Sequence, residues 1–420
     1  MKAFFLLLSI ASCVGAHKQT MGSRRVLATE RPYIEDVLDK YCVPGHNLTM
    51  MALGSSHWGP PASALESVVK HVASRETQRY GNILGLPKLR ERLSRRLESH
   101  GLGCLGPTSS VPMTLAVTGG ANQAFTNIAL TLCDEGDRAI ILAPYYFSHK
   151  LALQLAGVDV SITALDPTTH KPDMAALSQL VDETRPRMLV MTTPSNPSGV
   201  VFGRQDLEAI VALCRRHGTW LVVDQVYYEF LFDGAEHVFP CNAALDYERI
   251  VHLFSMSKCF GMAGWRVGFA VFPSVLTEEF RKVQDTNPTH ATILSQRLAL
   301  ECLDADEGPG GGCIEAEVRR LDGVREALWP ILEPLGTVRS TGAFYFLVPL
   351  PAEVSEEEAV DLLATRFGVL LMLGSPFGAP QHLRLSYGGL SPDSALDALG
   401  RLGRGLQKIA ELGKERRCRK

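Results

Sequence analysis

The chain has 420 residues, 46% hydrophobic and 21% charged, with a formal net charge of −3. That is ordinary globular composition, long enough for two or three structural units. It excludes a nucleic-acid partner held by a basic block, because the terminal run KERRCRK is short and reads as a solvated tail.

Taken in chain order, the first residues stand apart. Lys2, an apolar stretch from Ala3 to Val14 and the small Gly15 and Ala16 resemble a signal peptide. The stretch is too short for a membrane span. Residues 1–25 are therefore expected to be a signal or targeting leader, with an apolar leader of no consequence as the alternative. Secretory route, organelle and cytoplasm all stay open. The sequon at Asn47–Thr49 matters only on the secretory route. The ten cysteines show no Cys-x-x-Cys pair and no His–Cys spacing typical of zinc, so no metal is expected. They read as scattered small hydrophobes.

From about residue 110 to 275, short β-rich runs alternate with helical patterns. The runs are MTLAV (113–117), RAIILA (138–143), RMLVMTT (187–193), WLVVD (220–224), IVHLFS (250–255) and VGFAVF (267–272). Between two of them, Leu207, Ile210, Val211 and Cys214 recur at helical spacing, closed by Gly218. Nearly continuous apolar strands with amphipathic helices indicate an α/β fold, a mainly parallel sheet covered on both faces. The last strand is expected to run antiparallel, because its link from the preceding one is short. After the glycine-rich Glu307–Gly312 come a charged helix at Ile314–Leu332 and strands at 343–348 and 383–387, an α+β module. The expected division is a large domain at 58–305 and a discontinuous small domain made of 26–57 and 306–420.

Open α/β sheets bind ligands beyond the carboxyl ends of their strands, and polar residues crowd there. IVHLFS runs into Ser255, Ser257 and Lys258, with Arg266 further on. A desolvated lysine amine can condense with an aldehyde, and the hydroxyls and arginine suit a phosphate on the same molecule. Gly120 and Ala121 pass from strand into helix, which is either an anion site of backbone N–H groups or a plain turn. Tyr146 is a stacking platform or core. Asn196 precedes Pro197, a candidate cis bond that aims the amide inward. Asp224 closes a very apolar strand, where it needs a cationic partner such as a protonated pyridine, or else caps a helix. Together with Tyr227 these groups describe one ligand, pyridoxal 5'-phosphate. Its phosphate lies at Gly120, Ala121, Ser255, Ser257 and Arg266, its ring on Tyr146, and its nitrogen at Asp224. Its phenolic oxygen meets Asn196 and Tyr227, and its aldehyde meets Lys258.

Over roughly residues 30–410 the chain resembles the class I aminotransferases, fold-type I pyridoxal phosphate enzymes. The resemblance rests on S-x-S-K (255–258) followed by G-W-R-x-G (264–268), on YGNILGLPKLRERL (80–93) and on LRLSY (383–387). It implies a seven-stranded type of sheet, with Lys258, Asp224 and Tyr227 as the catalytic residues. Lys258 acts as general base, and Asp224 keeps the ring nitrogen protonated. It also implies a homodimer, in which Tyr80 reaches the neighbouring subunit's phosphate, and Arg384 holding the substrate carboxylate beside Asn196. GSSHWGPP (54–61), PYYFSHKLALQLAGV (144–158) and LRLSYGGL (383–390) are similar to plant-type aromatic aminotransferases that pair methionine with aromatic 2-oxo acids. That likeness places Gly54 and Trp58 at the substrate, with ordinary packing as the other reading of Trp58. No arginine occurs between Asp285 and Gln296, where dicarboxylate-specific relatives supply one, so an apolar or aromatic side chain fits better. The expected activity is ping-pong transfer of an amino group from such an amino acid to a 2-oxo acid. The alternatives are a lyase or synthase on the same scaffold and, more remotely, a non-catalytic binding module.

Overall fold

Branched and aliphatic side chains suit a pleated surface buried on both sides. In the computed structural model they form seven strands: β1 (Met113–Thr118), β2 (Arg138–Ala143), β3 (Asp159–Ala164), β4 (Met188–Thr192), β5 (Trp220–Asp224), β6 (Ile250–Ser255) and β7 (Gly268–Pro273). Residues 22–42, 48–106, 109–241, 247–309 and 311–419 are described. Residues 1–21, which carry most of the expected leader, and Asn47 of the sequon lie outside them.

The sheet order is β1-β7-β6-β5-β4-β2-β3. All neighbours are parallel except β7, which runs against both β1 and β6, as the short link implied. Alternation sends Ile141 and Ala139 to the face covered by helix Ala121–Leu132, and Ile140 and Leu142 to the face covered by Met174–Thr184 and Arg204–His217. Each large aliphatic side chain so buried contributes ~1.5–3 kcal/mol. Strand β3 was not anticipated. It is an edge strand in which Thr163 alone is buried, so Asp159 and Ser161 break the apolar run that marks the others.

Helix Arg204–His217 begins where the Asp206 carboxylate accepts the Gly203 N–H at 2.9 Å. It ends at Gly218, whose φ of +66° is the left-handed cap. This places the helix behind β4 and β5 without disturbing their carboxyl ends.

The C-terminal part carries a second, antiparallel sheet with His382–Ser386 between Met372–Leu373 and Tyr345–Pro349. Helices Cys313–Leu332, Glu356–Phe367 and Pro392–Arg417 belong to the same part. The N-terminal strand Thr49–Met50 pairs with Val369–Leu370, and the Ser386 N–H donates to Met51 O at 2.9 Å. Residues 52–55 thereby run beside the strand that carries Arg384. Among the described residues no helix is long and apolar enough to cross a membrane.

Candidate active site

The carboxyl ends of β4, β5 and β6 open into a cavity of about 310 Å³. Its lining includes Gly54, Ala121, Tyr146, Asn196, Asp224, Tyr227, Ser255, Ser257, Lys258, Arg266 and Arg384. These groups come from elements widely separated in sequence, and the sheet topology brings them together.

Lys258 sits in the short helix Met256–Cys259, which Ser255 caps by accepting the Ser257 N–H at 3.0 Å. Its Nζ donates to Gly54 O. Burial pushes its pKa down to about 8; Arg384 and Arg266 add to the shift and Asp224 opposes it. An amine in that state is neutral far more often than an ordinary lysine.

Asp224 is buried at the end of β5. One oxygen accepts the Val226 N–H at 3.2 Å, and the other lies 3.0 Å from His149 Nε2. Close by, the Tyr227 and Tyr345 hydroxyls are 2.5 Å apart. Burial raises the Tyr227 phenol well above its usual range and Tyr345 to about 12, so both keep their protons at neutral pH.

Arg384 is more deeply buried than Lys258. Its Nη1 donates to Asn196 Oδ1 at 3.2 Å, and Nη2 donates to Ala52 O. Its guanidinium lies over the rings of Phe377 and Tyr345, at 4.4 and 5.1 Å from their centroids. The buried Nε has no hydrogen-bond partner, and no carboxylate of the described residues pairs with the side chain. Burial lowers its pKa without discharging it. The Asn196–Pro197 bond is cis.

Gly120 starts the helix Ala121–Leu132 at φ +97°. A Cβ there would fall 2.2 Å from Arg266 Nη2, and one on Gly268 would meet Ala121 N at 2.5 Å. Two bare glycines therefore let the guanidinium and a helix N-terminus approach each other, with Ser255 and Ser257 alongside. This is an anion cradle.

Three expected residues are not in this lining. Gly120 lies behind Arg266. Tyr80 is 89% exposed, edge-on to His290. Trp58 gives its indole N–H to Cys259 O at 2.9 Å and stacks on Phe230, so its polar edge is already satisfied there. Conversely, Ile34, Leu53, Asn122 and Tyr345 line the cavity without having been singled out. His149, behind Asp224, was not assigned either. Its place in PYYFSH, one helical turn from Tyr146, was the available signal.

The residues present fit pyridoxal phosphate. A cradle for a dianion, a buried carboxylate for a ring N–H and a desolvated amine for an aldehyde face one cavity.

A family model described as aminotransferase class I and II matches residues 50–402. An aromatic aminotransferase of Arabidopsis thaliana, ISS1, is 35% identical over 94% of this chain and 98% of its own. An aspartate/prephenate aminotransferase of Thermus thermophilus is 31% identical over 86% of this chain and 91% of its own. A solved structure of Thermus thermophilus aspartate aminotransferase with maleate superposes at a TM-score of 0.81, with 28% identity over 92% of this chain and 99% of that one. The chain belongs to the class I and II aminotransferases, the pyridoxal phosphate-dependent transaminases of fold type I.

Proposed function

We propose that the amino donor is an apolar or aromatic amino acid (methionine, Phe, Tyr or Trp) and the acceptor a 2-oxo acid, handled in alternate half-reactions at one site. The observation that carries this reading is Arg384. A buried guanidinium with a bare Nε and no carboxylate partner among the described residues calls for an anion from solution, and the rings of Phe377 and Tyr345 flank it. Ile34, Leu53 and the rings of Tyr146 and Tyr345 line the same cavity, and its other arginine, Arg266, stands at the anion cradle beside Ala121, Ser255 and Ser257.

In this reading Arg384, steadied by Asn196, clamps the α-carboxylate bidentately. Lys258 Nζ would take the Cα proton as general base and later give a proton back as general acid. Asp224, held by His149, fixes a proton on the ring nitrogen. Tyr227, itself held by Tyr345, donates toward the phenolic oxygen. Ser255, Ser257, Arg266 and the Ala121 N–H hold the phosphate. Pyridoxal phosphate, when bound, supplies the aldehyde and a ring that accepts the electron pair left by proton removal.

The test mixes purified holoenzyme with single amino acids and follows the visible band of the bound cofactor. Rapid loss is expected with methionine and the aromatic amino acids. Fast reaction with aspartate alone would overturn the donor assignment.

Gly120→Ala is expected to weaken cofactor retention while leaving the fold intact. The new Cβ displaces Arg266 from the cradle at a backbone angle that side chains disfavour. Losing one charge-assisted contact of ~1.5–3 kcal/mol raises the cofactor Kd about ten- to hundred-fold. Equilibrium dialysis reads it; an unchanged Kd removes Arg266 from the phosphate site.

The exposure of Tyr80 supports a homodimer in which it serves the neighbouring subunit. Sedimentation equilibrium at the mass of one chain would remove that arrangement.

A further inference from the structure

Outside the cavity, three soft ligand atoms converge where spacing along the chain gave no hint of them. His252 is wholly buried on β6, Cys104 lies in the single turn Gly103–Leu105, and Cys241 is buried shortly after Phe239. The two sulfurs and a ring nitrogen of His252 all lie within 4.8 Å of one another.

The histidine is held as a ligand would be. Its Nδ1 is 2.7 Å from Gln225 Oε1, and Gln225 Nε2 is 2.9 Å from His237 Nε2. An amide oxygen only accepts, so Nδ1 carries the proton and Nε2 carries the lone pair. No N–H or O–H donor reaches that buried Nε2, and the Cys241 thiol is the group beside the ring. A disulfide between the cysteines would remove that thiol proton and leave the nitrogen bare.

We propose that Cys104, Cys241 and His252 form a buried Zn²⁺ site that fastens the Cys104 turn and the Cys241 segment to strand β6. Two thiolates and a neutral imidazole cancel the charge of a divalent ion, which matters in an interior where net charge is expensive. Sulfur with imidazole selects zinc over magnesium or calcium. An amide oxygen on the second ring nitrogen is the outer contact that orients zinc-binding histidines. The three protein ligands leave a fourth position to water. Binding exchanges two thiol protons, released to solvent, for two Zn–S bonds, with no change of oxidation state.

The test uses reduced holoenzyme, stripped by a chelator and titrated with Zn²⁺ alone. One ion per chain is expected by elemental mass spectrometry. X-ray absorption should show two sulfurs at about 2.3 Å and a nitrogen at about 2.0 Å. Gln225→Ala should weaken binding about 10–100-fold by freeing the imidazole, and Cys241→Ser should abolish stoichiometric binding. The wild-type measurements need no variant, so a misfolded mutant does not shelter the proposal. Absence of bound zinc, a spectrum with oxygen and nitrogen only, full binding by Cys241→Ser, or a Cys104–Cys241 disulfide in the isolated protein each overturn it.

Discussion

Lys258→Ala is expected to lose the visible band of the lysine-bound cofactor and to cut turnover by at least about 10²–10⁴-fold, the usual contribution of a positioned general base. Loss of covalent attachment comes on top of that. The fold should survive, since Lys258 reaches into the cavity and its one hydrogen bond is to Gly54 O. Far-ultraviolet circular dichroism checks the fold, and stopped-flow absorbance checks the chemistry. Turnover at the wild-type rate would remove Lys258 from the mechanism. The same residue sets a pH dependence. Below its pKa of about 8 the amine is charged and cannot attack an aldehyde, so cofactor capture by the apoenzyme should rise with pH, with its midpoint near 8. At pH 7 about one chain in ten then carries the neutral amine, against about one in 2,500 for an ordinary lysine at 10.4. A midpoint near 10 would mean that burial and the two arginines do not act on it.

Arg384→Lys is the second large effect. The expected loss in kcat/KM is about 2–5 kcal/mol, roughly thirty- to several-thousand-fold, because a point charge cannot reproduce the two-pronged contact with a carboxylate. The loss should fall on every donor alike, while cofactor absorbance in the resting enzyme stays in place. Replacement by Gln should in addition raise the pH midpoint for cofactor capture, since Arg384 is one of the cations that depress Lys258. A full-rate Arg384→Lys enzyme would move the carboxylate site elsewhere.

The fold and most of the cavity were legible because they depend on local pattern. Continuous apolar runs announced β1, β2 and β4–β7, and the polar residues at their ends announced the lining. Three kinds of feature escaped, each for a physical reason. The edge strand β3 has one wet face and no apolar run. Tyr345 was legible only as a strand residue; its hydroxyl meets Tyr227 through a pairing that no local pattern encodes. For Trp58 the sequence left substrate contact and ordinary packing both open, and the structure puts its N–H on a backbone carbonyl at Cys259. Side-chain partners across the fold decide such cases, and spacing along the chain carries no record of them.

The reversed strand β7 has one more consequence. Thr118 and Ser255 both stand opposite Gly268, so the chain leaves β6 and re-enters the sheet on a single rung, with Met256 N–H bonded to Val267 O at 3.1 Å. Lys258 and Arg266 both ride on the short connection between those two points. Closing so small a loop takes little entropy, whereas Gly120, Asp224 and Arg384 must each be recruited across long stretches of chain. The lysine–arginine half of the site can therefore organise early in folding, before the distant groups that complete it arrive.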